Sequence, residues 1–333
     1  MSRNLKYSII ILFLLFFLLF SFIVSIIFGE VSFSLHDILD ILKSGEGNLK
    51  YAILMKIRLP RIILGIAVGG SLSLSGAILQ GIYRNPLVEP YTLGISGGAA
   101  LAVSLVIVLG LQTFASALAL PLAGFAGSIA VIFFVYVFSV QRANLQSNNM
   151  LLTGVMISFI ASSLMMLLMA VASNESLRSI IFWTMGSLDE PNVLLIKVAF
   201  WASLSGLFFS YFFARDLNAL RLGEEKAIHL GVNSTKAIRF LFIIASLLTG
   251  ISVAVAGIIG FVGLIIPHIM RLFAGNDYRI LLLSSFLGGA GFLVLSDTLA
   301  RTIISPNELP VGVITGIVGG LAFMLILRKK YTI

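Results

Sequence analysis

The feature that most constrains this chain is a succession of apolar runs, each about as long as a bilayer is thick, separated by short polar or proline-bearing turns. A helix needs about 20 apolar residues to cross the hydrocarbon core. Such runs fall at residues 7–28, 62–82, 93–110, 118–140, 150–172, 193–213, 238–256, 258–273, 280–300 and 311–327. Only 11% of residues are charged, against about 25% in a soluble domain, and the mean hydropathy is +1.09. The expectation is an all-α polytopic membrane protein of about ten transmembrane helices. Residues 1–333 then form a single transmembrane domain with no room for a large soluble one.

The first run lies behind Arg3 and Lys6. It is longer than the roughly 7–15 residue core of a signal peptide and has no small-x-small cleavage site, so it reads as a retained helix. Residues 29–57 read as a loop, with SFSLHDILDILKSG (32–45) patterned as a short amphipathic helix on the membrane surface. Two stretches are irregular. The run at 258–273 is short and contains Pro267, and 177–186 is too brief to cross and is expected at the interface, where Trp183 suits it.

The net charge of +8 comes from basic residues placed singly at the ends of apolar runs, a pattern that sets topology and does not suit nucleic acid. With the amino terminus cytoplasmic and ten spans alternating, fourteen of the 22 Lys and Arg lie inside and eight outside. Retention of basic residues on the cytoplasmic side favours this orientation. The expected localisation is a prokaryotic cytoplasmic (inner) membrane, with both termini inside and residues 214–237 as the longest inner connection. There are no cysteines, which excludes disulfides, thiolate metal sites and cysteine nucleophiles.

Several local patterns carry possible function. Gly65, Gly69 and Gly76, and Gly312, Gly316 and Gly320, repeat at helical spacing, as close helix packing in lipid requires; a subunit interface or a substrate path would use the same spacing. The turn RNPLVEP (84–90) must end a helix, because Pro86 and Pro90 force extended backbone on Asn85 and Glu89. Arg58 and Arg61 flank Pro60 at the expected outer mouth, with Arg301 at the outer end of the ninth run. They suit either snorkelling to headgroups or docking of an acidic partner. His268 reads as a structural histidine, since His36 and His229 are expected on opposite sides of the membrane and no metal site forms. No catalytic residue is identified.

What is missing also informs. No G-x-x-x-x-G-K-[ST] loop occurs, so the chain has no such cradle for nucleotide phosphates. The apolar runs carry almost no ionisable residues, which counts against the alternative reading of an ion-coupled secondary transporter.

Taken in order, RLPR (58–61), SGAILQGIYRNPLVEPYTLGISGGAA (75–100), WTMGSL (183–188), LGEEKAIHLGV (222–232), GFVGLIIPHIMRLFAGNDYR (260–279), SDTLAR (296–301) and NELPVGVITGIVGG (307–320) resemble the FecCD-like permease subunits of type II ABC importers for iron–siderophores, haem and cobalamin. The resemblance runs from Arg58 to Arg328. It implies the ten-helix permease fold, working as a homodimer with a second copy, two cytoplasmic ATPase subunits and an extracytoplasmic substrate-binding protein. It also implies that no cofactor is bound directly and that ATP is hydrolysed on the partner subunits. By the same resemblance, Arg58, Arg61 and Arg301 dock the binding protein. Leu222, Gly223, Glu224, Glu225 and Gly231, within 214–237, couple to the ATPases. Asn85 and Leu87, with Ser147 and Asn148, lie by a cytoplasmic gate. The cargo implied is a metal chelate, iron–siderophore first, with haem or cobalamin as alternatives.

Overall fold

The protein is described by a computed structural model covering residues 3–29, 31, 33, 34, 36, 37, 49–113, 117–141, 144, 145 and 147–331. Its principal helices are α1 (Arg3–Ile27), α2 (Leu59–Ile82), α3 (Ile95–Val108), α4 (Ala119–Ser139), α5 (Ser147–Val171), α6 (Asn174–Thr184) and α7 (Val193–Phe212). They continue as α8 (Ala214–Leu220), α9 (Glu224–His229), α10 (Ser234–Ala256), α11 (Val262–Ala274), α12 (Tyr278–Thr302) and α13 (Val311–Tyr331). A two-residue antiparallel pairing, Val140 with Leu145 and Gln141 with Asn144, joins α4 to α5. Seven helices are long and apolar enough to span a membrane, and α3, α11 and the Val311–Ile326 part of α13 are shorter apolar helices. These ten coincide with the ten runs read from the sequence.

The helices are arranged around α2. Twenty of its 24 residues are buried, from Arg61 to Ile82, because α12, α10, α7 and α11 surround it. In lipid, helices gain little by hiding apolar surface from one another, so they associate where small residues let backbones approach. A Cβ on Gly69 would clash with the Gly289 carbonyl of α12, and one on Gly289 with the Gly69 carbonyl. A Cβ on Gly76 would strike the Gly263 carbonyl of α11. The peripheral helices use the same device, with Gly98 of α3 against Gly127 of α4. The other glycine stripe is mixed: a Cβ on Gly312 would strike the Met185 carbonyl, whereas nothing lies within 4 Å of one built on Gly316.

Many buried hydroxyls turn back onto their own helices, as suits a bilayer interior, while Ser75 Oγ of α2 donates across to the Ala245 carbonyl of α10 at 3.0 Å. Thr249 Oγ1 donates to the Ala245 carbonyl at 2.7 Å and Ser252 Oγ to Leu248 at 2.7 Å. Pro267 is accommodated in the same spirit. It removes the N–H that would have met the Gly263 carbonyl four residues back, and Gln80 Nε2 of α2 donates to that carbonyl at 3.2 Å instead. The irregular run at 258–273 is therefore a helix from Val262, preceded by a non-helical stretch at 257–260.

One expectation is corrected. Residues 49–57 are not loop: Leu49–Ala52 is α-helical and Ile53–Arg58 π-helical, making a continuous 34-residue helix, Leu49–Ile82. Leu54 of this extension packs on Phe33, with Ile26, Tyr51 and Ile53 around them. The expected amphipathic helix at 32–45 lies mostly outside the described residues, although Asp37 there pairs with Lys50 at 2.6 Å. Trp183 sits in α6, half-buried beside Val103, Ile107 and Ile180.

The glycine contacts make a test. Gly76→Ala should destabilise the detergent-solubilised protein by about 1–3 kcal/mol or more through overpacking, read as a lowered midpoint of thermal unfolding. Gly316→Ala, where space is open, should leave the midpoint unchanged.

Candidate functional site

Ionisable side chains gather at the two ends of the bundle, and the ends treat them oppositely. At the end where α1 finishes and α2 begins, Arg58, Arg61 and Arg301 are only 3%, 7% and 5% exposed. Arg61 forms a forked pair with Glu308, Nη1 to Oε1 at 3.0 Å and Nη2 to Oε2 at 2.8 Å, and reaches Asp297 Oδ1 at 3.4 Å. Asp297, itself buried, also accepts from Arg301 Nε at 2.9 Å, one helical turn along α12. Arg301 Nη2 donates to Ser25 Oγ of α1 at 2.9 Å. Arg58 donates to the Ile26 and Val31 carbonyls and lies over the Phe33 ring, 4.4 Å from its centroid. The expected docking arginines are thus brought together, yet turned inward as a strut between α1, α2 and α12. The more exposed member of the cluster is a carboxylate, Glu308.

At the opposite end, where α1 starts, the residues read as coupling and gate elements meet. Asp277 caps α12, receives Asn218 Nδ2 of α8 at 2.8 Å and Tyr7 Oη of α1 at 3.4 Å. Burial pushes its carboxyl up, but the hydrogen bonds from Asn218 and the Arg279 N–H, with the Arg279 charge, outweigh that and hold it below the usual aspartate value. Arg221 Nη1 donates to the Asn276 carbonyl at 2.9 Å, tying the start of the coupling segment to the α11–α12 turn. Gly223 and Gly231 adopt φ of +116° and +84°, a region that favours glycine, and bracket α9. Glu224 and Glu225 occupy the first turn of α9, where carboxylates suit the helix dipole.

The turn after α2, expected to lie by a gate, is built by Asn85, whose Oδ1 accepts from the Leu87 N–H at 2.9 Å. Leu87 is exposed. Beyond it the chain folds back into the bundle: Pro90 lies against Gly263, and Tyr91 Oη both donates to the Ile259 carbonyl and accepts from the Ile259 N–H, each at 3.0 Å. Helix α5 begins at Ser147, but the side chains of Ser147 and Asn148 lie outside the described residues.

Comparison with known proteins decides what kind of bundle this is. Residues 17–329 match the family model of the FecCD transport family. The chain belongs to the FecCD transport family. Relatives include the hemin transport system permease protein HmuU of Yersinia pestis, 38% identical over 290 residues, covering 86% of each chain. The cobalamin import system permease protein BtuC of Halobacterium salinarum is 38% identical over 295 residues, covering 87% of this chain and 77% of that one. A solved structure described as an inward-facing metal-chelate type ABC transporter superposes with a TM-score of 0.84 at 30% identity, covering 97% of this chain and 99% of that one. This FecCD member therefore has the all-α, multi-pass ABC permease fold expected from its motifs, and the ion-coupled alternative is not favoured.

Two functional features escaped the sequence reading. Asp297 was read only as part of SDTLAR, yet it is the shared counter-ion of Arg61 and Arg301; its spacing of four from Arg301 was the available signal. Glu89 was read only as a turn residue. Its carboxylate meets the Phe261 N–H at the start of α11, and Oε2 is buried without a hydrogen bond.

Removing Asp297 tests the strut. Asp297→Asn leaves two buried guanidiniums short of charge, and should cost about 3–5 kcal/mol, measured as a lower unfolding midpoint in detergent. Glu308→Gln, half exposed, should cost less. For the same reason, reversing Arg58, Arg61 and Arg301 to Glu would report stability rather than docking.

Proposed function

We propose that this FecCD-family chain is the membrane-spanning permease subunit of an ATP-driven importer that moves a metal chelate into the cell across the cytoplasmic membrane. The observation that carries the partner assignment is α9. This six-residue helix stands outside the spans, and Leu222, Ile228 and Leu230 around it are 52%, 60% and 64% exposed. Apolar side chains grouped on a surface beyond the bilayer mark a protein contact. An ATPase subunit is the occupant that fits a family named for transport with no nucleotide-binding loop of its own. On this reading 214–237 couples each permease to an ATPase, with Gly223 and Gly231 setting the angle of α9 and Glu224 and Glu225 facing the partner.

A second permease copy completes the pathway, and a binding protein delivers cargo at the Arg61 end. Arg58, Arg61 and Arg301 then act by holding Glu308 and the neighbouring turn in place, so that the docking surface is the one they support. Nucleotide would drive transport by its different affinity for two arrangements of the dimer, with Asn85, Leu87 and the start of α5 at the inner gate. Iron–siderophore is the cargo class we favour, with haem and cobalamin permeases among the relatives.

The test is ATP hydrolysis by the assembled complex. Gly231→Val forces a β-branched residue into φ +84° although no atom lies within 4 Å to obstruct it. It should reduce cargo-stimulated hydrolysis roughly tenfold while the isolated permease stays folded, its stability lowered by about 1–3 kcal/mol for the strained backbone. Undiminished stimulation would overturn the coupling assignment.

A further inference from the structure

The largest cavity described, 860 Å³, opens at the end of the bundle where α1 starts. It is bounded by Gln80, Arg84 and Pro86 from the end of α2 and its turn, Arg221 from the coupling segment, His268, Arg271, Leu272 and Phe273 from α11, and Ile326 from α13. No carboxylate lines it. Arg84, Arg221 and Arg271 come from three separate stretches of chain, and among the described residues none of them is in a salt bridge. We propose that this cavity is a transient binding site for the cargo and that the cargo it takes is anionic, a chelate bearing carboxylates. The proposal rests on the importer reading above and narrows its substrate class.

Two of the three guanidiniums are held by neutral partners. Arg271 Nη1 donates to Gln80 Oε1, and Gln80 is itself fixed by its bonds to the Gly263 and Leu264 carbonyls. Arg221 is fixed by the Asn276 carbonyl, and Tyr278, which also lines the cavity, receives a hydrogen bond from Arg271. Arg84 holds the left-handed backbone conformation, φ +52°, which is uncommon for a side-chain-bearing residue and is met mostly where surrounding structure enforces it. Each guanidinium carries five donors in a planar fork suited to carboxylate, so neutral anchoring leaves donors for a ligand.

Basic residues that merely mark topology are solvated separately at helix ends. Three converging on one pocket repel each other unless an anion joins them. The apolar walls, Pro86, Leu272, Phe273 and Ile326, suit the hydrophobic body of a large chelate, and the polar set suits its acid groups. Arg84 Nη1 also lies 3.6 Å from where a Cβ on Gly223 would sit, so a ligand on Arg84 and Arg221 touches both the gate turn and the coupling segment.

The chain has no cysteine, which permits a local test independent of the ATPase. Leu272→Cys places a thiol on the cavity wall and Ile303→Cys one at the far end; both wild-type side chains are exposed. In the full-length permease in nanodiscs, anionic and cationic methanethiosulfonate reagents are compared. The anionic reagent should be favoured at the cavity thiol of L272C over the far-end thiol of I303C by roughly tenfold, and Arg84→Gln with Arg221→Gln should abolish most of the preference. Haemin, a dicarboxylate, should then protect the cavity thiol from a neutral reagent, whereas its dimethyl ester should not. Equal reagent preference at the two thiols, equal protection by acid and ester, or protection by neither overturns the proposal. So does protection by added phosphatidylglycerol alone, which would make the cavity a lipid site. Failure of ATP-driven uptake by the assembled complex, with these labelling results intact, would instead overturn the importer reading.

Discussion

Backbone-to-backbone contact at glycine is the interaction on which the rest of this structure depends. In lipid the usual drive to hide apolar surface is absent between helices, and only contact area and polar bonding distinguish one arrangement from another. Gly69 against Gly289 and Gly76 against Gly263 bring α2 to van der Waals distance of α12 and α11. Everything polar inside the bundle follows from that approach. Gln80 reaches the carbonyl that Pro267 frees only because Gly76 admits α11. Arg61 reaches Asp297 only because α2 and α12 lie close along their length.

The two ends then solve the problem of charge near a bilayer in different ways. At the Arg61 end, Arg58, Arg61 and Arg301 are buried with Asp297, Glu308 and backbone carbonyls about them. Buried charge is tolerable only when paired and hydrogen-bonded, so this end is a fixed strut. At the other end, Arg84, Arg221 and Arg271 surround a cavity, and Arg221 and Arg271 are anchored by neutral groups. One end is electrostatically closed and the other is left open to a ligand.

What the sequence disclosed follows from what each feature needs. An apolar run announces a span through its length alone, and all ten runs contain helices. Motif order carried the family in the same way. By contrast, the fate of an arginine depends on partners far away in the chain: Arg61 is 236 residues from Asp297 and 247 from Glu308, and no local pattern separates a docking arginine from a buried one. The helix at 49–58 was hidden because its apolar residues face Phe33 and Ile26, across a stretch whose polar residues read as loop. The glycine stripes were visible, but spacing could not say that Gly69 and Gly76 meet backbone while Gly316 meets nothing within 4 Å.

The proximity of Arg84 to Gly223 bears on how a push at one segment of such a bundle could become a change at another. Gly223 and Gly231 both hold backbone angles that other residues resist. Between them α9 is short and touches little of the spans beyond α8 and α10, so it can tilt at low cost. Arg84, by contrast, belongs to the turn that follows α2, the most enclosed helix of the fold. On the coupling reading proposed above, a displacement of α9 would pass to Arg84 and the cavity edge, while the glycine contacts hold α2 against α11 and α12. Packed glycine interfaces deform poorly, so such a displacement would concentrate where the three arginines lie.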